Sequence, residues 1–252
     1  MELLLIGVIF ELIIIIIGFL LLSLILKKYY EKRHKLTFLL FIIFLNFVIS
    51  IIFSWLSKVL RFFSGLEYLS NPNTPDPGTI ASWFLLRIVD FRFTFLFVSI
   101  ATIFTYQLYI ELFEKQNFVQ KIIVYIYEAF TVFYLMFIYQ KGNALLLILA
   151  FLFTCIYSFM ISIPFMVNCI KTRKSVNEKS YKNAFLSLIV MSICTLLVLV
   201  CQLIDRLFII FFKSPGYTLF YFLAWIFAII GIYAAYLGYI KPKSRVQDKI
   251  ES

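Results

Sequence analysis

The chain has 252 residues, of which 63% are hydrophobic and 14% charged, and its mean hydropathy is +0.99. Too few polar residues exist to cover a water-soluble surface, which excludes soluble enzymes and DNA-binding domains as classes. The net charge of +10 does not point to nucleic acid either, because no basic element suited to base and phosphate contacts exists.

A membrane-spanning helix needs about 20 mostly apolar residues. Seven such stretches follow one another near 3–26, 37–60, 81–110, 122–139, 144–170, 184–211 and 217–240. The predicted fold is an all-α membrane protein, a seven-transmembrane-helix bundle. One domain covers 1–242, and 243–252 form a short tail. The first span begins Met1-Glu2-Leu3, without a basic leader or a small-residue cleavage site. It is therefore expected to remain a span and not to act as a signal peptide.

Basic residues alternate along the connections. The first carries Lys27, Lys28, Lys32, Arg33 and Lys35, and the third Lys115 and Lys121. The fifth carries Lys171, Arg173, Lys174, Lys179 and Lys182, and the tail Lys241, Lys243, Arg245 and Lys249. The even connections hold Lys58 and Arg61 ahead of a loop with Glu67 and Asp76, then Lys141, then Lys213. Positive charge collects on the cytoplasmic side. The N-terminus is thus expected outside the cell membrane and the C-terminus in the cytoplasm. The partner of these clusters is membrane lipid, through the anionic inner leaflet. A cytoplasmic signalling protein is a second candidate partner, docking on the basic inner loops, 171–183 above all.

Residues 64–80 run through Asn71-Pro72-Asn73-Thr74-Pro75-Asp76-Pro77-Gly78, a series of turn formers. This longest outer loop either caps a cavity or is a plain connector. Pro164 inside span five is expected to kink it. Cys155, Cys169, Cys194 and Cys201 lie in spans five and six without metal-like spacing, and read as buried thiols. His34 is the single histidine, and it sits in an inner loop. Gly-x-Ser-x-Gly, His-Glu-x-x-His and Gly-rich phosphate loops are absent, so the reading is of a non-enzyme needing no cofactor.

Chemistry then rests on polar residues within the spans, where ionisable groups cost roughly 2.5–3.5 kcal/mol and usually face the bundle interior, paired. Arg87, Asp90 and Thr94 fall at i, i+3 and i+7, on one face of span three. Arg87 and Asp90 are expected to pair there, while Arg92 points away and needs Glu11 or Asp205. Span two presents Asn46, Ser50, Ser57, Arg61 and Ser64 with Ser54 nearby, and span six Ser187, Met191, Cys194, Val198, Gln202 and Asp205. Span seven offers small residues at Ala224, Ala228, Gly231 and Ala235, edged by Tyr217, Tyr221 and Tyr239, and reads as a packing element. By depth, Glu11, Arg61, Arg87, Asp90, Arg92, Asp205 and Arg206 all fall in the outer half. Glu128, beside Tyr125 and Thr131, lies alone in the inner half. The seven outer residues are candidate ligand-binding groups of a cavity opening outward between spans one, two, three and six. The competing reading is a network of buried ion pairs that fixes helix register.

The segment Arg87-x-x-Asp90-Phe91-x-x-Thr94 resembles the third-helix Arg-x-x-Asp-Trp-x-x-Thr of microbial rhodopsins. Seven spans with an external N-terminus is also the topology of G-protein-coupled receptors and of prokaryotic seven-helix sensor modules. In rhodopsins that Asp is the Schiff-base counter-ion and proton acceptor, tuned by the Arg. Residues 217–240 contain neither the retinal-binding Lys nor the second acid of that family's seventh helix. The receptors' Asp-Arg-Tyr and Asn-Pro-x-x-Tyr are missing too. The resemblance implies the architecture without retinal chemistry. The expected function is a receptor-like or sensory membrane protein that binds a small ligand or ion. A transporter of small solutes, ions or protons, with spans 1–3 and 5–7 as parallel repeats, is the alternative. A structural or assembly protein is the third.

Overall fold

The computed structural model describes residues 2–114, 117–212 and 218–237. Lys115, Lys213, Tyr217, Tyr239 and the basic tail at Lys241, Lys243, Arg245 and Lys249 lie outside the described residues. Nine helices occur among those described: α1 (Glu2–Lys32), α2 (Lys35–Phe63), α3 (Glu67–Ser70), α4 (Ile80–Val89), α5 (Arg92–Phe113), α6 (Phe118–Phe137), α7 (Ala144–Ser175), α8 (Lys179–Phe212) and α9 (Leu219–Ala235). Six of them, α1, α2 and α5 to α8, are long and apolar enough to cross a membrane by length and composition; α4 and α9 are shorter apolar helices.

The packing makes a closed ring. α1 lies against α2 and α9, α2 against α5, α5 against α7, α7 against α8, and α8 against α9. α6 sits outside the ring on α5 and α7. Among the described residues little covers its other face, and Ile122, Ile126, Phe130 and Phe133 are exposed along it. α1 likewise exposes Ile9, Ile13, Ile16 and Leu20. Apolar surface on this scale is not left in water. Hydrocarbon is the solvent these faces suit.

Inside the ring, Ile25, Leu40, Ile43, Phe165 and Leu188 form the core nearest the α1–α2 connection. Close helix approach relies on small residues. Gly18 faces Val48 and Gly231 faces Cys194 so tightly that an added Cβ would sit 2.8 and 3.0 Å from them. Ala224 and Ala235 are buried on the same helix as Gly231. Asn117 and Asn143 cap α6 and α7 through their side-chain oxygens, and Thr79 and Ser82 form a reciprocal capping box at the start of α4.

Two expectations about helix bounds change. The loop predicted over 171–183 is mostly helix: α7 runs to Ser175 and α8 starts at Lys179. Arg173 and Lys174 in the last turn of α7 suit its negative end, which lets the helix continue. The stretch 81–110, expected as one helix, is two. α4 ends at a C-cap on Asp90, Phe91 takes the left-handed conformation at φ 60°, and α5 starts at Arg92. α7, by contrast, remains one helix through Pro164.

Candidate functional site: a charged cluster at a broken helix

The break at Asp90–Phe91 carries neither proline nor glycine, and a left-handed Phe is strained by about 1–2 kcal/mol. Such a residue persists only when its surroundings hold it. Here the Phe91 ring meets two cations: the Arg206 guanidinium 4.4 Å from its centroid and the Lys58 ammonium at 5.3 Å. The carbonyl of Val89, freed at the end of α4, accepts from Ser57 Oγ at 2.7 Å and from Arg61 at 3.3 Å. One face of α2 thus fastens the junction.

Behind the break lies a fully buried ion pair. Lys58 Nζ stands 2.8 Å from both oxygens of Glu11, and it also donates to Ser54 O at 3.2 Å and Ser54 Oγ at 3.0 Å. Ser54 Oγ in turn donates to Glu11. Exposure is 0% for Glu11 and 2% for Lys58. Burial of two charges costs several kcal/mol each and is sustained only by such complete pairing.

In front of the break the pairing is open. Arg61 reaches Asp90 Oδ1 at 3.5 Å, and the Tyr139 hydroxyl donates to Asp90 Oδ2 at 2.8 Å. These three side chains line a cleft of about 210 Å³ together with Lys141, Leu69 and Pro72. Lys141 Nζ donates to Thr74 O at 2.5 Å, and Gly142, at φ 75°, leaves room for Pro72. The loop 64–79 is thereby seated over the cleft and does not trail free. Within it the Ser82 hydroxyl and the Gly78 N–H hold the Asp76 carboxyl below the usual carboxylate range.

The other sequence-selected residues have separate duties. Arg87 Nε donates to Met136 O at 2.8 Å, and Arg92 to Leu146 O at 3.0 Å and Tyr134 O at 3.5 Å. Met136 and Tyr134 carry carbonyls of the last turn of α6, so both arginines cap that helix end and meet its dipole. Arg87 also stacks on Trp83 and Tyr139. The predicted Arg87–Asp90 pair does not form among the described residues, nor does Arg92 reach Glu11 or Asp205. Both Arg87 and Asp90 precede the left-handed Phe91, so their spacing stands, but Arg87 goes to Met136 O and Trp83 O while Arg61 and Tyr139 take Asp90. The turn separates only Thr94 from that face. Asp205 instead accepts from Thr218 N–H at 3.0 Å and Thr218 Oγ1 at 2.7 Å, fixing the start of α9. Glu128, buried on α6, accepts from Ser99 Oγ.

The structure therefore gathers Glu11, Arg61, Asp90 and Arg206 around the break and turns Arg87, Arg92 and Asp205 to helix ends. Lys58 was missed by sequence reasoning, which placed it in a connection. A usable signal existed: Ser54, Ser57, Lys58 and Arg61 share one face of α2, and Glu11 requires a cation. The four cysteines are buried free thiols, and among the described residues no group of three or more His, Cys, Asp or Glu could hold a metal. No family model, no curated protein and no solved structure matches the chain.

Proposed function

We propose that the chain is a receptor-like, seven-span protein of the cell membrane that binds a small charged or zwitterionic ligand in the cleft at the α4–α5 break. On this reading α4 and α5 together form the third span and α9 the seventh. The N-terminus is external, and loop 64–79 lies over the cleft from outside, in keeping with the distribution of Lys and Arg. The observation that carries the proposal is the half-exposed Arg61–Asp90–Tyr139 constellation inside a cleft. Arg61 uses two long hydrogen bonds out of five donors, leaving a fork for a carboxylate or similar anion beside an acceptor for an ammonium.

Signalling follows from what the cleft touches. Asp90 caps α4 at a strained joint, so a ligand competing for Arg61 or Asp90 biases the joint between two settings by its differential affinity for them. α5 carries that bias to its far end, where Glu111 pairs with Lys35 of α2 at 2.7 Å. A cytoplasmic partner at the basic connections reads the shift.

The broken helix favours one alternative. Discontinuous spans with half-helix ends at the binding site are a transporter device, and on that reading the joint is the moving part. Proteoliposomes separate the two: a receptor binds without net flux of the solute, whereas a transporter accumulates it. Orientation has its own test. A cysteine tag at Asn73 should react only from outside and one at Lys174 only from the cytoplasm; the reverse pattern overturns the outward cleft.

A further inference from the structure

The charged cleft, of about 210 Å³, falls below the roughly 300–1,000 Å³ of pockets for drug-sized ligands, so it suits a molecule of few atoms. Arg61, Val89 and Asp90 line it from α2 and the break, and Ser70, Pro72 and Lys141 line it from loop 64–79 and the α6–α7 connection. Its charged groups are open to a ligand: the side chains of Arg61 and Asp90 are 45% and 23% exposed, and Lys141 is half-buried.

Three charged side chains line the cleft, and two of them are cations. Arg61 and Asp90 face each other, whereas Lys141 forms no ion pair among the described residues and donates to the neutral Thr74 O. Asp76 feels the Lys141 charge, but Ser82 and the Gly78 N–H hold its carboxyl outside the lining. The lining thus carries one positive charge in excess, which a ligand of one net negative charge complements. The Arg61–Asp90 contact is loose, at 3.5 Å against about 2.7–2.9 Å for a charge-assisted hydrogen bond. A ligand with a carboxylate and an ammonium on one carbon addresses both members of so close a pair together. One whose two charges stand at the ends of a long chain does not.

We infer that the ligand of this cleft is an acidic α-amino acid, with its α-carboxylate on Arg61, its ammonium on Asp90 and its side-chain carboxylate on Lys141. The inference rests on the cleft being the binding site. Lys141 has three donors and spends one on Thr74 O, so it takes a carboxylate without releasing the loop. The Tyr139 hydroxyl donates to Asp90, and its oxygen can still accept from the ammonium. Leu69 and Leu86, on the same lining, suit the methylene groups. An amide in place of the side-chain acid leaves Lys141 without a counter-charge. A diacid without the amine leaves Asp90 facing a hydrocarbon.

The test measures saturation binding of tritiated L-glutamate, L-glutamine and glutarate to the full chain in lipid nanodiscs. The wild type should bind L-glutamate about tenfold or more tightly than either of the others, the equivalent of one charge-assisted hydrogen bond. Lys141→Gln keeps a donor for Thr74 O and loses the charge. It should bring L-glutamate down to the level of L-glutamine and leave L-glutamine binding unchanged, which also shows that the variant is folded. Asp90→Asn should abolish the advantage of L-glutamate over glutarate. L-glutamine or glutarate binding the wild type as tightly as L-glutamate, or a preference for L-glutamate that survives Lys141→Gln, overturns the inference and leaves the cleft a binding site. Binding of none of the three overturns it as well, and the cleft reading falls with it only when a wider panel of ions and small molecules also fails to raise the melting temperature.

Discussion

Lys58 and Arg61 stand one turn apart on α2 and each meets a carboxylate, yet the two pairs are built differently. Lys58 and Glu11 are sealed, with both Glu11 oxygens at 2.8 Å and exposure of 2% and 0%. Arg61 and Asp90 meet at 3.5 Å, with the Arg61 side chain 45% exposed on a cleft. A sealed pair locks a fold, because neither charge can leave without stranding the other. An open pair is replaceable by a ligand at small cost. The break at Phe91 lies between them, held from one side and adjustable from the other.

The largest expected effect tests the sealed side. Lys58→Met strands Glu11 and should cost about 3–5 kcal/mol in denaturation of the purified protein. Adding Glu11→Met should recover much of that loss. If Lys58→Met costs no more than Arg61→Met, the distinction collapses. Next comes Arg92→Met, which takes the guanidinium from Leu146 O and Tyr134 O and should cost about 1–3 kcal/mol. A neutral result in the same melts would remove its role as a cap for α6. Arg61→Ala, on the open side, should change stability by about 1 kcal/mol or less, as exposed pairs do, and yet remove ligand response.

The smallest effect concerns the loop over the cleft. Asp76 has a folded-state pKa below its ordinary value of 3.8, so the folded loop binds fewer protons than the unfolded one. Its contribution is fully present above the ordinary value and disappears as pH falls toward the folded one. Below pH 3.8 the wild type should therefore lose melting temperature that Asp76→Asn does not lose. Parallel curves for the two proteins would show that Asp76 contributes nothing to seating the loop.

Much of the helical plan was legible because long apolar runs admit few alternatives. Turn formers from Asn71 to Gly78 marked a loop, and Glu11 and Asp205 announced themselves as costly charges within apolar spans. The break was not legible. Val89-Asp90-Phe91-Arg92 contains no helix breaker, and what bends the chain there is tertiary: Ser57 and Arg61 take the Val89 carbonyl, and Lys58 and Arg206 flank Phe91. Arg87 and Asp90 are partners by spacing, and the break, which follows both, does not part them. Competing partners do: carbonyls at the end of α6 take Arg87 and Arg92, and Arg61 and Tyr139 take Asp90. Lys58 was hidden by its nearness to a predicted span end, although in the structure it is more deeply buried than Asp90.

The measurement that reaches the central claim most directly is the melting of purified protein across a panel of ions, amino acids and small carboxylates, comparing wild type with Asp90→Asn. The account predicts that at least one compound raises the wild-type melting temperature in a saturable way, and that Asp90→Asn, of near-normal stability alone, loses the response. A panel with no response, or an equal response in both proteins, would contradict it and leave Arg61–Asp90 as a surface pair that only fastens the joint.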